Sequence, residues 1–359
     1  MTDLNIAVMP GDGIGVEVTD SALHVLSVLE KRFGFQLNKE HHDGGAELYR
    51  QTGVAFSDVT FEAARKADAI LFGAMGLPDV RYPDGTEIAP HLDMRREFNL
   101  YAGVRPVRCL PRTPSFLADP RALDTDLAII RESTEGLFYS RGKGTVDNDE
   151  VAKETLVITR STSEKLFDFS FRLAERRQER RGRKARVTCV DKSNVFVAMA
   201  FFRKIFDERA AKFPSIKADH AYIDATALDL IRKPWEFDVL VMENMFGDII
   251  SDVGGGIVGG MGLAPCAEIG DEHGLFQPSH GSAPDIAGSG KANPTAMLLS
   301  ASMMLDWLGA RHKLQALKDA ADELEKAVDR AYAQRITPIE FGGSDGTKEI
   351  TQAVVEELR

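Results

Sequence analysis

Asp248 and Asp252, in the run Glu243–Asp252 (ENMFGDIISD), have a type and spacing that point to chemistry. At i and i+4 they share one face of a helix, where two like charges repel. A divalent cation that prefers oxygen ligands would remove that repulsion. An exposed acidic helix face is the alternative. Ile249 and Ile250 between them, and the glycines that follow, favour a packed helix. Asp224, in YIDATALDL at the end of a strand-like run, is a candidate third carboxylate.

Three arginines suit the recognition of a carboxylate substrate: Arg95 in LDMRREF, Arg105 in AGVRPV and Arg131 in AIIRES. A guanidinium is planar, permanently charged and offers paired donors to a carboxylate. Arg131 follows the apolar run LAII, which puts it at the carboxyl end of a strand. Taken singly, each arginine is equally a surface residue or half of a structural ion pair. Lys192 in TCVDKSNV also follows a strand, where burial and a nearby cation would lower its pKa toward base work. Tyr139 completes an acid/base set as a proton donor, and either residue alone could be structural.

Two glycine-bearing motifs remain. PGDGIG (residues 10–15) lies between a strand and a helix, but its spacing is GxGxG rather than the GxGxxG of a dinucleotide fingerprint. A tight turn without a ligand explains it as well, and it does not argue for a Rossmann fold. HGSAPDIAG (residues 280–288), continued by GKANP, combines small residues that let a cofactor approach the backbone with Asn293-Pro294 at a helix start. Asp285 there would bond ribose hydroxyls and repel an extra 2′-phosphate, favouring NAD over NADP.

The elements that position these residues alternate between short β-rich runs and helix-period segments, the pattern of an α/β fold with parallel sheet. Strands are expected at Asn5–Met9, Asp68–Phe72, Leu127–Ile130, Arg186–Val190 and Asp238–Met242. Helices are expected at Ser161–Arg177, Phe196–Ala211, Ala225–Arg232, Pro294–Leu308 and Lys313–Tyr332. The polar stretch Ser140–Glu150 and a strand-like Thr155–Thr159 read as a projecting arm or a plain surface loop. Gly254–Gly262 (GGGIVGGMG) reads as a poor helix interior and a hinge.

Composition bounds the function. The chain has 359 residues, 43% hydrophobic and 28% charged, and a formal net charge of −11. That balance argues against a nucleic-acid surface, so an anionic substrate requires locally clustered cations. Three dispersed cysteines, Cys109, Cys189 and Cys266, read as reduced thiols in a cytoplasmic protein. No run approaches the length of a membrane span.

In the order PGDGIG, RREFNLYAGVRP, RESTEGLFYSRG, VDKSNV, ENMFGDIISD and HGSAPDIAGSGKANPTA, the whole chain resembles the β-decarboxylating dehydrogenases. This is the family of 3-isopropylmalate, isocitrate, homoisocitrate and tartrate or D-malate dehydrogenases. The resemblance implies an isopropylmalate-dehydrogenase-like two-domain α/β fold with a parallel or mixed sheet, not a Rossmann fold. Residues 1–107 and 263–359 would form the cofactor domain. Residues 108–262 would form a central dimerisation, metal and substrate domain with an arm near 140–160. It implies that Arg95, Arg105 and Arg131 bind substrate carboxylates, that Tyr139 donates a proton to the enol, and that Lys192 assists deprotonation of the substrate hydroxyl, from the neighbouring subunit. Asp248 and Asp252 would hold Mg²⁺ or Mn²⁺, with Asp224 contributed across a homodimer interface. Asn194 would face the nicotinamide, and His280, Gly281, Ser282, Asp285 and Asn293 the adenosine half of NAD.

The segment just before the first arginine, which reads the substrate in this family, is Glu87-Ile88-Ala89-Pro90-His91-Leu92. Leu92 suits an isopropyl group and His91 does not, and Gly103 stands where asparagine is common. The resemblance therefore implies 3-isopropylmalate first and a tartrate or D-malate substrate second. A catalytically silent regulatory subunit is the alternative of a different class. Its loss of acid, base or metal residues would be expected, whereas all of them are retained here.

Overall fold

The computed structural model describes residues 3–359. Its strands are β1 (Leu4–Gly11), β2 (Leu37–His41), β3 (Ala69–Ala74), β4 (Ala102–Arg108), β5 (Asp126–Glu132), β6 (Thr145–Asp147), β7 (Val151–Lys153), β8 (Arg186–Asp191), β9 (Lys217–Tyr222), β10 (Val239–Met242), β11 (Pro265–Ile269) and β12 (Gly274–Pro278). The chain divides into two units. One takes residues up to Leu100, Leu110–Pro114 and Gly259–Arg359; the other takes Tyr101–Cys109 and Ser115–Val258. The second unit thus includes β4, which the expected boundary at residue 107 leaves with the terminal segments.

In the terminal unit the strand order is β2-β1-β3-β12-β11, with β11 antiparallel to β12 and the other pairings parallel. In the central unit it is β4-β5-β10-β8-β9, with β4 antiparallel to β5 and the others parallel. This is a mixed-sheet α/β fold. The interior strands β3 (AILFGA) and β10 (VLVM) are buried along their whole length, as parallel strands covered on both faces must be. Each unit has its own apolar core. Met9, Phe56, Ile70, Phe72, Met94, Phe98 and Leu275 pack together in the first, and Val107, Leu127, Ile129, Leu240, Met242, Ile250 and Ile257 in the second.

Two expectations require correction. Thr155–Thr159 is not a strand and contributes only a bridge from Val157 to Gly136. The arm is instead the antiparallel hairpin of β6 and β7, exposed throughout. Its turn runs through Asn148 and Asp149, both with positive φ, a conformation these two residue types tolerate. Gly254–Gly256 do not break a helix, because helix Asn244–Ile257 runs through them. A Cβ on Gly254 would lie 2.6 Å from Val107 Cγ2, so glycine there permits close packing of the helix on the sheet. No helix is long and apolar enough to cross a membrane among the described residues.

Candidate active site

The helix Asn244–Ile257 organises the central unit's site. Glu243 caps it, its carboxylate accepting from the N–H groups of Met245 (3.1 Å) and Phe246 (2.7 Å). Burial raises the Glu243 pKa. One turn later Gly247 lies against the root of Arg131, where a Cβ would stand 2.6 Å from Arg131 Cβ. This contact brings the helix onto β5 beside the arginine, which is almost fully buried. Arg131 Nε and Nη2 donate to Asn244 Oδ1 at 2.9 and 2.6 Å, and Nη1 reaches Asp248. Its guanidinium also lies 5.1 Å from the centre of the Phe138 ring.

Asp252 follows Asp248 by one turn on the same helix. Partial burial raises its pKa, the Asp248 charge raises it further, and Arg105 and Arg131 oppose both. Two carboxylates one helical turn apart, the second with its pKa raised by burial and by the charge of the first, are a chemically suitable half-site for Mg²⁺ or Mn²⁺. Asp224 is elsewhere, at the start of helix Ile223–Arg232, where Lys192 Nζ donates to its Oδ1 at 2.7 Å. That bond lowers the Asp224 pKa. Among the described residues, no three His, Cys, Asp or Glu side chains of the chain converge to hold a metal.

The segment joining Arg131 to Tyr139 is held by two glutamates that the sequence reading passed over. Glu132, fully buried, accepts from Thr134 N–H (2.7 Å), Thr134 Oγ1 (2.6 Å) and Glu135 N–H (2.7 Å), and burial pushes its pKa up to about 7. Glu135 accepts from Thr159 N–H and Thr162 Oγ1, both at 2.8 Å, which ties the segment to the start of helix Arg160–Arg181. Tyr139 sits half-exposed on the short helical turn Leu137–Ser140, with Lys143 Nζ 4.3 Å from its ring centre. Asn194 is exposed in the turn after Lys192. Asn244, beside the acidic pair in ENMFGD, was the other miss. Its signal was an amide adjoining a candidate metal helix, but only contact with Arg131 reveals its role.

The terminal unit carries the remaining residues. Arg95 is buried on helix Pro90–Glu97 and pairs with the fully buried Glu268 at 2.8 Å. His91 and Leu92, on the first turn of that helix, are half-buried, and His91 meets the edge of Phe72. PGDGIG serves as a structural turn. Asp12, buried within it, accepts from the N–H groups of Ala46 (2.7 Å), Glu47 (2.9 Å) and Gly76 (2.8 Å). Gly13, with φ +57, lies so close to Ser282 O that a Cβ would stand 2.0 Å away, and Ile14 N–H donates to that oxygen at 2.8 Å. The turn therefore anchors HGSAPDIAG, where Ser282 is buried and Gly281 and Asp285 are exposed. His280 Nδ1 bonds Gly281 O at 2.9 Å; its Nε2 is buried with no hydrogen-bond partner among the described residues, and burial lowers its pKa. An orphaned ring nitrogen beside an exposed small-residue turn is compatible with a nucleotide ligand. Asn293 instead faces inward, donating to Glu340 (2.6 Å) and accepting from Thr295 N–H (3.0 Å).

The chain is similar to known proteins over nearly its whole length. The family described as isocitrate/isopropylmalate dehydrogenase matches residues 5–354. A 3-isopropylmalate/3-methylmalate dehydrogenase of Methanocaldococcus jannaschii is 40% identical, covering 99% of this chain and 98% of that protein. A 3-isopropylmalate dehydrogenase of Methanothermobacter thermautotrophicus is 39% identical, covering 100% and 99% respectively. Among solved structures, an isocitrate dehydrogenase from Methylococcus capsulatus superposes with a TM-score of 0.86 at 33% identity, covering 99% of both chains. A β-decarboxylating dehydrogenase from Thermococcus kodakarensis, in its apo form, gives 0.80 at 33% identity, covering 99% of this chain and 96% of that one.

Proposed function

The chain belongs to the isocitrate/isopropylmalate dehydrogenase family of β-decarboxylating oxidoreductases, and from that premise we propose that it oxidises and decarboxylates a 3-substituted malate with NAD and Mg²⁺ or Mn²⁺. The preferred substrate is 3-isopropylmalate. The observation that carries this reading is the alternation of charge in the central unit: buried Arg131 contacts Asp248, and Arg105 and Arg131 both act on Asp252. Such a surface can hold a cation and a dicarboxylate side by side.

Asp248 and Asp252 hold the cation, with Asp224 completing the set from a second subunit. Asp285 and the turn around His280 to Ser282 hold the NAD adenosine, Asn293 braces that segment, and Asn194 faces the nicotinamide. When bound, NAD would supply the hydride acceptor, and a cation held by Asp248 and Asp252 would supply a Lewis acid for the substrate oxygen. Arg95, Arg105 and Arg131 bind the substrate carboxylates and fix their orientation. Lys192 takes the hydroxyl proton as the alcohol becomes a ketone. The bond to the carboxylate β to that ketone then breaks, carbon dioxide leaves, and the electron pair remains as the enolate. Tyr139 delivers a proton to that carbon, giving the 2-oxo acid.

Large apolar side chains stand in water around the Lys192–Asp224 pair: Val195, Phe196 and Val197 just after Lys192, and Leu228 and Ile231 on the Asp224 helix, with Val197 87% exposed. Helix Ile223–Arg232 lies against helix Asn244–Ile257, which exposes Ile249. That surface, with the exposed hairpin, supports a homodimer with shared sites. Three free thiols suit the reducing cytoplasm.

Both curated relatives carry 3-isopropylmalate in their names, and Leu92 suits its branched side chain. His91, beside Leu92, favours the second reading, a tartrate or D-malate substrate. The test is kcat/KM for 3-isopropylmalate, D-malate, tartrate and isocitrate with NAD and Mg²⁺. A clear lead for 3-isopropylmalate supports the proposal, a lead for D-malate or tartrate moves it to the second reading, and silence on all four indicates a non-catalytic subunit.

A further inference from the structure

The turns that present Lys192 and Asp224 leave two adjacent parallel strands at the same level. Asp191 ends β8, Tyr222 ends β9, and the two are register partners. Lys192 follows the first directly and Asp224 lies two residues beyond the second, where the two side chains meet.

One guanidinium touches both strand ends. Arg203, on helix Val197–Ala210, donates from Nε to Asp191 Oδ2 at 2.7 Å and from Nη2 to Asp191 Oδ1 at 2.8 Å. Its guanidinium carbon lies 5.2 Å from the centre of the Tyr222 ring. Asp191 is completely buried, and its Oδ1 also accepts from Ser193 N–H at 2.8 Å, which closes the turn around Lys192. A buried carboxylate without its cation is strongly unfavourable, so losing Arg203 forces the 191–193 turn to rearrange. The same loss frees the Tyr222 ring at the start of the Asp224 helix.

We propose that Arg203 is a positioning residue that holds Lys192 and Asp224 as one aligned pair, setting both the proton-transfer step and the cation affinity of the completed site. This inference rests on the roles given above to Lys192 and Asp224. A displacement of about 1 Å at reacting groups can lower turnover roughly a hundredfold.

The test uses the full-length protein with its best substrate. Arg203→Met is expected to lower kcat roughly a hundredfold and to weaken cation binding severalfold, read without substrate from the electron paramagnetic resonance signal of added Mn²⁺ and with substrate from the half-saturating Mg²⁺ concentration. Arg203→Lys keeps the charge but not the paired geometry, and should recover part of both losses. Arg209→Met is the control. Arg209 lies on the same helix and makes an equivalent two-point pair with Asp168 (Nε to Oδ1, 2.7 Å), away from either strand end. It should lose thermal stability while keeping kcat and Mg²⁺ response. Wild-type kcat and Mg²⁺ dependence in Arg203→Met would overturn the inference, as would equal losses in Arg209→Met. If Arg203→Met does not fold, Arg203→Lys decides: an unchanged Mg²⁺ response overturns the inference and a raised requirement supports it. An active wild type with an indifferent Arg203 sinks this inference alone, whereas an inactive wild type sinks the functional reading with it.

Discussion

At the scale of single residues, the site is built from groups held in unfavourable electrostatic company. Asp248 and Asp252 stand one helical turn apart, and burial first and the Asp248 charge second raise the Asp252 pKa. Arg131, almost wholly buried, is offset by Asp248 and the Asn244 amide. If these carboxylates hold the cation, Asp248→Asn removes a ligand charge and leaves Arg131 less well paired. Turnover at saturating Mg²⁺ should then fall by at least roughly a hundredfold, since even outer-shell changes at metal sites reach that range. Steady-state kinetics across a Mg²⁺ titration checks this, and normal activity at limiting Mg²⁺ would remove Asp248 from the cation site. The acidic pair and the arginines were legible because charged residues at telling intervals stand out in a chain of ordinary composition. Asn244, Glu132 and Glu135 were not. Asn244 and Glu135 bond to residues that folding brings near, and Glu132 to its neighbours Thr134 and Glu135; no charge spacing in the sequence reports either role.

At the scale of elements, legibility followed burial. The interior strands β3, β5, β8 and β10 were readable because continuous apolar runs are what a doubly covered parallel strand requires. The edge strands β2 (LNKEH) and β9 (KADHAY) were not, since they are largely exposed and carry no apolar pattern. The antiparallel strands β4, β11 and β12 each contain proline, which weakens a strand signal. An arm near 140–160 was expected, but its strands β6 and β7 were not, because they are three residues each and exposed, with Asn148-Asp149 as a weak turn cue. Helix Asn244–Ile257 shows the opposite error, in which glycines that signalled a break allow close packing. Gly247 tests that argument. A methyl group there meets the backbone and Cβ of Arg131, which cannot swing away as a side-chain tip can. Gly247→Ala should destabilise the protein by about 1–3 kcal/mol through overpacking and raise substrate KM severalfold by displacing Arg131. Denaturant unfolding and substrate titration measure the two effects, and an unchanged KM would show that the helix does not set the arginine's position.

At the scale of the whole molecule, the order of motifs along the chain was sufficient to indicate the family, because six of them recur in sequence over nearly its full length. The division into two units was less legible at its edges, since a strand such as β4 carries no mark of which core it joins. Asp224 pairs with Lys192 in the chain and Asp248 with Arg131, and the proposal is that a second subunit brings the two pairs together. Mixing a Lys192→Met variant with an Asp248→Asn variant should therefore restore activity. Random pairing makes half the dimers mixed, each with one intact site, or roughly a quarter of wild-type turnover. No restoration after subunit exchange would mean that each chain builds its site alone. Oxidation and decarboxylation are proposed to be coupled at one cation-dependent site. The most direct measurement is the ratio of NADH formed to carbon dioxide released from 3-isopropylmalate, with Mg²⁺ and again after chelation. Coupled chemistry gives equal amounts of both with the metal and neither without it; NADH without carbon dioxide, or turnover that survives chelation, would overturn the coupling.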